Sequence, residues 1–146
     1  MASTVEDFLT KEDEQAIVAA IRHSETQTSG EIRVHLEHHA NKDALLRAQE
    51  LFHFLKMDNT KDENGVLIYV AVDDHKLAIC GDAGINRKVP SDFWESTMKM
   101  MLVYFKKGDF RDGLIAGVAS AGDKLAAFFP WQHGDINELP DEITTS

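Results

Sequence analysis

The feature that most limits how this chain can fold is the unbroken apolar run Val66 to Val72, rich in β-branched residues. It lacks the alternation of a half-exposed strand, so both of its faces must be covered inside a sheet. Asp73 and Asp74 interrupt the run, and Leu77, Ala78, Ile79 and Cys80 resume it at once. So short a break predicts a hairpin with His75 in or beside its turn. Acids stand at both outer ends of that hairpin: Asp62 and Glu63, followed by Asn64, before it, and Asp82 after it. A hairpin brings its outer ends together, which places these residues at one edge of the sheet.

The remaining elements follow from periodicity. Thr10 and Asp13 form a capping-box pattern, and Ile17, Val18 and Ile21 share one face, which predicts a helix over residues 11 to 26. Ser24 to Gly30 reads as a turn. Glu31-Ile-Arg-Val-His-Leu-Glu then alternates strictly, which predicts a half-exposed strand at a sheet edge. A second helix begins at Asp43 and carries Leu45, Ala48, Phe52 and Leu55 to about Lys56. A strand, a helix and a strand in that order imply a parallel pair with a right-handed crossover. Beyond Gly84 a loop runs to Pro90, with Ser91 as a plausible helix cap. Trp94, Met98, Met101, Leu102 and Phe105 predict a third helix over 92 to 106, and Leu114, Ile115, Val118, Leu125 and Phe128 a fourth over 110 to 129. Helices must cover a sheet that is apolar on both sides. The expected architecture is therefore a three-layer α/β/α sandwich around a small mixed sheet with a central hairpin. It forms one domain over residues 8–132, and the acid-rich segment 133–146 is expected to be a disordered tail.

Length and charge narrow the function classes. A chain of 146 residues suffices for one domain that buries roughly 70% of its unfolded surface. The net charge of −10 argues against nucleic acid or an anionic membrane as partner. With one cysteine no intramolecular disulfide forms, and Cys80 sits in an apolar strand, as a small hydrophobe does. The first residues lack the basic and apolar regions of a signal peptide, and no apolar stretch approaches the roughly 20 residues of a membrane span. The expected address is the cytoplasm.

At this point the sequence resembles the TPM domain family, named for thylakoid-lumen, photosystem-repair and receptor-modulating proteins. The matching stretches are Ser29-Gly30-Glu31-Ile32, Asn64-Gly65-Val66-Leu67-Ile68, Gly81 to Ile85, Asp92, Gly108-Asp109-Phe110 and Gly113-Leu114, across residues 8 to 129. The resemblance implies an α/β sandwich that binds a divalent cation, often calcium, with acid phosphatase activity in some plant members and interaction roles in others. Three departures are visible. Members are commonly exported or membrane-anchored, whereas this chain carries no such segment in its sequence. The usual Gly-x-Gly after the hairpin reads Asp82-Ala83-Gly84, and Asn86 stands where an acid is common.

Three chemistries remain to be weighed. The first is a hard-cation site, for calcium or magnesium, at the shared sheet edge. Parallel strands start at one edge, so Glu31 lies with Asp62, Glu63 and Asn64; the antiparallel strand ends there with Asp82, and Asp92 begins the next helix nearby. Calcium takes six to eight oxygens, which four segments can supply. The competing account is that Asp62 and Glu63 are solvated loop acids and that Asp92 favours a helix N-terminus. Asp58 to Gly65 is no EF-hand, because the glycine falls at the eighth position instead of the sixth. The second chemistry is a histidine site from His35, His38, His39 and His53, but no zinc-type spacing appears and isolated surface histidines are the preferred account. The third is nucleophilic catalysis, for which Gly-x-Ser-x-Gly and a phosphate loop are both absent. Arg87-Lys88, next to Asp82, is read as a solvated loop able to bind an anion. The aromatic set of Phe93, Trp94, Phe105, Phe128 and Phe129 is read as core. The leading expectation is a divalent-cation-binding domain with possible weak phosphatase activity; the alternative is a non-enzymatic module that meets a protein partner through its acidic edge or tail.

Overall fold

The structure is a computed structural model that describes residues 9–58, 60, 62–131 and 143–145. In chain order its elements are α1 (Lys11–Ser24), β1 (Glu31–Glu37), α2 (Ala44–Phe54), β2 (Gly65–Ala71), β3 (Lys76–Gly81), α3 (Ala83–Asn86), α4 (Glu95–Lys106), α5 (Phe110–Phe128) and β4 (Thr144–Thr145). The capping box forms at α1: Thr10 Oγ1 accepts from the Asp13 amide at 3.0 Å, and Asp13 Oδ2 accepts from the Thr10 amide at 3.2 Å. Both donors are ones the helix itself leaves without partners.

The sheet runs in the order β3-β2-β1-β4. β1 and β2 are parallel, with Glu31 opposite Gly65 and Glu37 opposite Ala71. β2 and β3 form the antiparallel hairpin, and His75 takes a φ of 55° in its turn. Val66, Ile68 and Val70 join Ile32, Val34 and Leu36 in a core shared with α1, α4 and α5. Leu67, Tyr69 and Ala71 pack with Ala78 and Cys80 against Ala48, Leu51 and Phe52 of α2. β2 is thus buried on both faces, as its apolar run demands, and helices lie on both sides of an open mixed sheet. Burial of each large β2 side chain contributes about 1.5–3 kcal/mol. Gly117 brings α4 against α5: a Cβ there would lie 2.7 Å from Met101 Cε.

Three expectations are corrected. β1 is internal, and all seven of its residues are buried. Its polar residues are buried too, with Glu37 bonded to Arg47 of α2 and His35 stacked on Tyr69, so the alternation marks a buried polar row. The segment 133–146 is not wholly without structure, since Thr144 and Thr145 pair in parallel with His35 and Leu36; 133–142 and 146 lie outside the described residues. A short helix, α3, follows the hairpin where a loop is expected, and α4 begins at Glu95 after turns instead of at Asp92.

Candidate functional site

The edge where β1 and β2 begin and β3 ends is assembled by main-chain contacts. The Glu31 amide donates to Asn64 O at 3.3 Å, the Asp82 amide to Gly65 O at 3.0 Å, and the Gly84 amide to Glu63 O at 2.9 Å. Gly84 permits the last approach: a Cβ there would stand 2.5 Å from Glu63 O and would also meet the Asp62 carbonyl. Glu63 itself adopts a φ of 50°, which turns the chain sharply into Asn64 and β2. The glycine of Asp82-Ala83-Gly84 therefore seats the loop of Asp62 and Glu63 on the end of the hairpin.

Asp82 is the residue of most chemical interest at this edge. It is only 9% exposed, and Oδ1 accepts from the Ala83 amide at 2.7 Å. Oδ2 is buried with no hydrogen-bond partner among the described residues. Burial pushes the Asp82 carboxyl above its usual range, and the neighbouring acids Glu63 and Asp58 push it the same way; the Ala83 amide and Arg87 work against them. A buried carboxylate oxygen without a donor, among like charges, is costly. Burial and the Asp82 charge likewise raise the adjacent Cys80 thiol to about 11, so Cys80 is no nucleophile.

The other predicted residues divide clearly. Glu31 is buried at the start of β1, and Asn64 is buried with Nδ2 donating to Ser29 Oγ at 3.3 Å. Glu63 is half-buried, and Arg87 Nη1 lies 3.6 Å from its Oε2. Asp62 is exposed beside Gly84. Asp92 is exposed in the turn before α4, where its carbonyl accepts from the Glu95 amide at 3.0 Å, and among the described residues no hydrogen bond or ion pair ties it to the other acids. Asp58, absent from the predicted set, is the residue sequence reading missed, although it stands in the same polar loop. Among the described residues no group of three or more His, Cys, Asp and Glu side chains is arranged to hold a metal. A cation at this edge would therefore rest on Asp82 and one further carboxylate, with loop carbonyls and water completing its shell, a composition that suits hard cations.

The histidines do not form one site. His38 Nδ1 is 2.8 Å from Asp73 Oδ2, His39 Nδ1 is 2.7 Å from Asp74 Oδ1, and His53 Nδ1 is 3.0 Å from Asp58 Oδ2. His35 is not on the surface: it is buried, stacked on Tyr69 at 6.2 Å, with Nδ1 2.7 Å from Thr144 Oγ1. Burial lowers it to about 4, Arg47 and Arg33 add to that shift, and Glu37 opposes it. It belongs to a row the sequence pattern hid. Arg47 Nη2 and Nε grip Glu37 at 2.6 and 2.9 Å, and the Tyr69 hydroxyl donates to Glu37 at 2.5 Å. Lys88, expected in a solvated loop, lies over the Phe129 ring at 4.4 Å.

The TPM domain family profile matches residues 3–124. The BA42 protein of the psychrophilic bacterium Bizionia argentinensis, solved by NMR, is similar at 53% identity and a TM-score of 0.91, over 99% of this chain and 100% of that one. An N-terminal domain from P. gingivalis is similar at 18% identity and a TM-score of 0.71, over 86% and 83% of the two chains. The N-terminal domain of cg2496 from Corynebacterium glutamicum follows at 15% and 0.63, over 79% and 72%. The last two likenesses concern the fold alone. No curated protein matches the chain, and no helix among the described residues is long and apolar enough to cross a membrane.

Proposed function

The chain belongs to the TPM domain family, and from that premise we propose that it binds calcium or magnesium at the sheet edge where β1 and β2 begin and β3 ends. The observation that carries this reading is Asp82 Oδ2, buried without a donor and crowded by Glu63 and Asp58. A divalent cation relieves both the missing partner and the repulsion. Asp82 and Glu63 are its anionic ligands in this reading, with the Asp62 main-chain carbonyl, Asn64 and other loop carbonyls as further oxygen donors and Glu31 behind them. Asp92 takes no part. The acidic composition and single cysteine fit work in the cytoplasm. A bound ion stabilises the native state by about 2.7 kcal/mol at one hundred times its dissociation constant. The wild type should therefore melt higher with calcium, Asp62→Ala should keep part of that increment, and Asp82→Asn should lose it. An increment retained in full by Asp82→Asn removes the site from this edge.

Phosphatase activity, which the family resemblance implies, enters this reading as a secondary and slow reaction of the loaded domain. The cation would supply a charge against the phosphate oxygens, and Arg87 stands beside Glu63 to bind the anion. Hydrolysis of an aryl phosphate should then cease with chelator and return with added metal. Turnover that ignores both chelator and Asp82→Asn belongs to a contaminant.

A further inference from the structure

The two edges of the sheet are finished differently. On the outer side of β1 the Ile32 amide donates to Glu25 Oε2 at 3.0 Å, the Thr144 hydroxyl donates to Val34 O at 3.3 Å, and β4 covers His35 and Leu36. Among the described residues β3 has no such cover. Because the Asp82 amide bonds Gly65 O, the alternation of an antiparallel ladder turns the amides and carbonyls of Leu77 and Ile79 away from β2. The Gly81 carbonyl, which the same alternation turns outward, is taken by Asn86 Nδ2 at 3.1 Å. Leu77 and Ile79 receive no such bond among the described residues.

That open edge lies at the floor of a groove between α2 and α4. Two depressions of about 430 and 320 Å³ follow β3, walled by Ala44, Leu45 and Gln49 on one side and by Trp94, Met98 and Leu102 on the other. At the Leu77 end the groove meets a smaller apolar pocket of about 190 Å³, lined by Val70, Val72, Phe105 and Phe110 and bordered by His75, Lys76 and Lys106. Lys76 and Lys106 form no close ion pair among the described residues, though Asp74 lies near enough to feel the Lys76 charge and Asp43 and Glu95 line the groove beyond. Ala78 and Ile79 are buried between the helical walls, so the recess suits a lone extended segment better than a second sheet flanked by its own helices.

We propose that this groove binds the free C-terminus of an extended peptide from another protein, added antiparallel to β3. Main-chain bonds to Leu77 and Ile79 hold the peptide backbone. Its last, apolar side chain fills the pocket between Phe105 and Phe110, and its carboxylate meets Lys76 and Lys106. Charge sets the direction, because an antiparallel strand ends beside the lysines. This site is distinct from the cation edge at the opposite end of β3 and works without a metal.

The test is titration of ¹⁵N-labelled full chain, in chelator, with a degenerate pool of octapeptides whose last position is restricted to Val, Leu, Ile and Phe and whose carboxylate is free. The expected result is shifted amides at Leu77 and Ile79 with slowed exchange, at least tenfold weaker binding of the C-terminally amidated pool, and at least tenfold weaker binding by K76E/K106E. Leu77→Pro, which removes an outward amide, should abolish binding; the surface lysine variant keeps the test decisive if that substitution disturbs the fold. No shift at Leu77 or Ile79 with the pool at millimolar concentration overturns the proposal. So does equal binding of the amidated pool, or a concentration-dependent shift of those amides without peptide, which would give the edge to a second copy. A calcium response with no peptide response leaves the cation reading intact and removes only this one.

Discussion

Glu37 and Asp82 are both buried carboxylates, one at each end of the sheet, and they are furnished in opposite ways. Glu37 receives two bonds from Arg47 and one from Tyr69; its bonds lift the Arg47 guanidinium above its usual range, and burial together with Glu37 lifts the Tyr69 hydroxyl. Asp82 receives one main-chain bond, keeps an oxygen without a donor, and faces two further acids. The fold thus provides a countercharge where a carboxylate is structural. At Asp82 the nearest countercharge, Arg87, sits against Glu63 and bonds neither Asp82 oxygen, and the proposed complement is a cation from solution. Burial alone does not distinguish the two residues; the inventory of donors does.

The largest effect should come from breaking the satisfied end. Arg47→Ala leaves Glu37 buried without its countercharge, and removing one partner of such a pair costs about 3 kcal/mol. Urea unfolding should register that loss, and a loss under 1 kcal/mol would mean that water reaches Glu37 and that the contrast with Asp82 is weaker than drawn. The next effect is acid sensitivity at the same end. The folded pKa of His35, about 4, lies below the ordinary 6.5, so the unfolded chain binds the extra proton. Stability is complete above pH 6.5 and declines as pH falls toward 4, by about 2 kcal/mol between pH 7 and pH 5. His35→Gln should flatten that part of the profile; an unchanged slope would assign the sensitivity to other groups. The smallest effect belongs to Asp82. Asp82→Asn keeps an oxygen for the Ala83 amide and removes the crowded charge, so it should leave the metal-free domain as stable as the wild type or more so, by less than about 1 kcal/mol.

What was legible in the sequence was mostly local. The run Val66 to Val72, the Thr10 and Asp13 box and the helical stripes report contacts within a few residues or burial imposed on a whole element. The position of β1 was not, because alternation means only that two faces differ, and a polar face closed by Arg47 and Tyr69 reads the same as one closed by water. β4 left no signal either: Thr144 meets His35 across 109 residues and Val34 across 110, through one side-chain bond to each. At the candidate site Asp82 and the Asp62–Glu63 loop could be placed together, since a hairpin must unite its ends. Asp92 was misplaced because α4 begins three residues later, after turns that no periodicity marks. Asp58 was passed over because a charge in a polar loop looks solvated until the loop is folded onto the hairpin.

The central claim is most directly tested by calorimetric titration of metal-free protein with calcium and with magnesium, on the wild type and on Asp82→Asn. We expect saturable heat at one ion per chain for the wild type and none for the variant, with both proteins folded. Absence of heat with either ion in the wild type, or an unchanged isotherm in Asp82→Asn, would contradict the account.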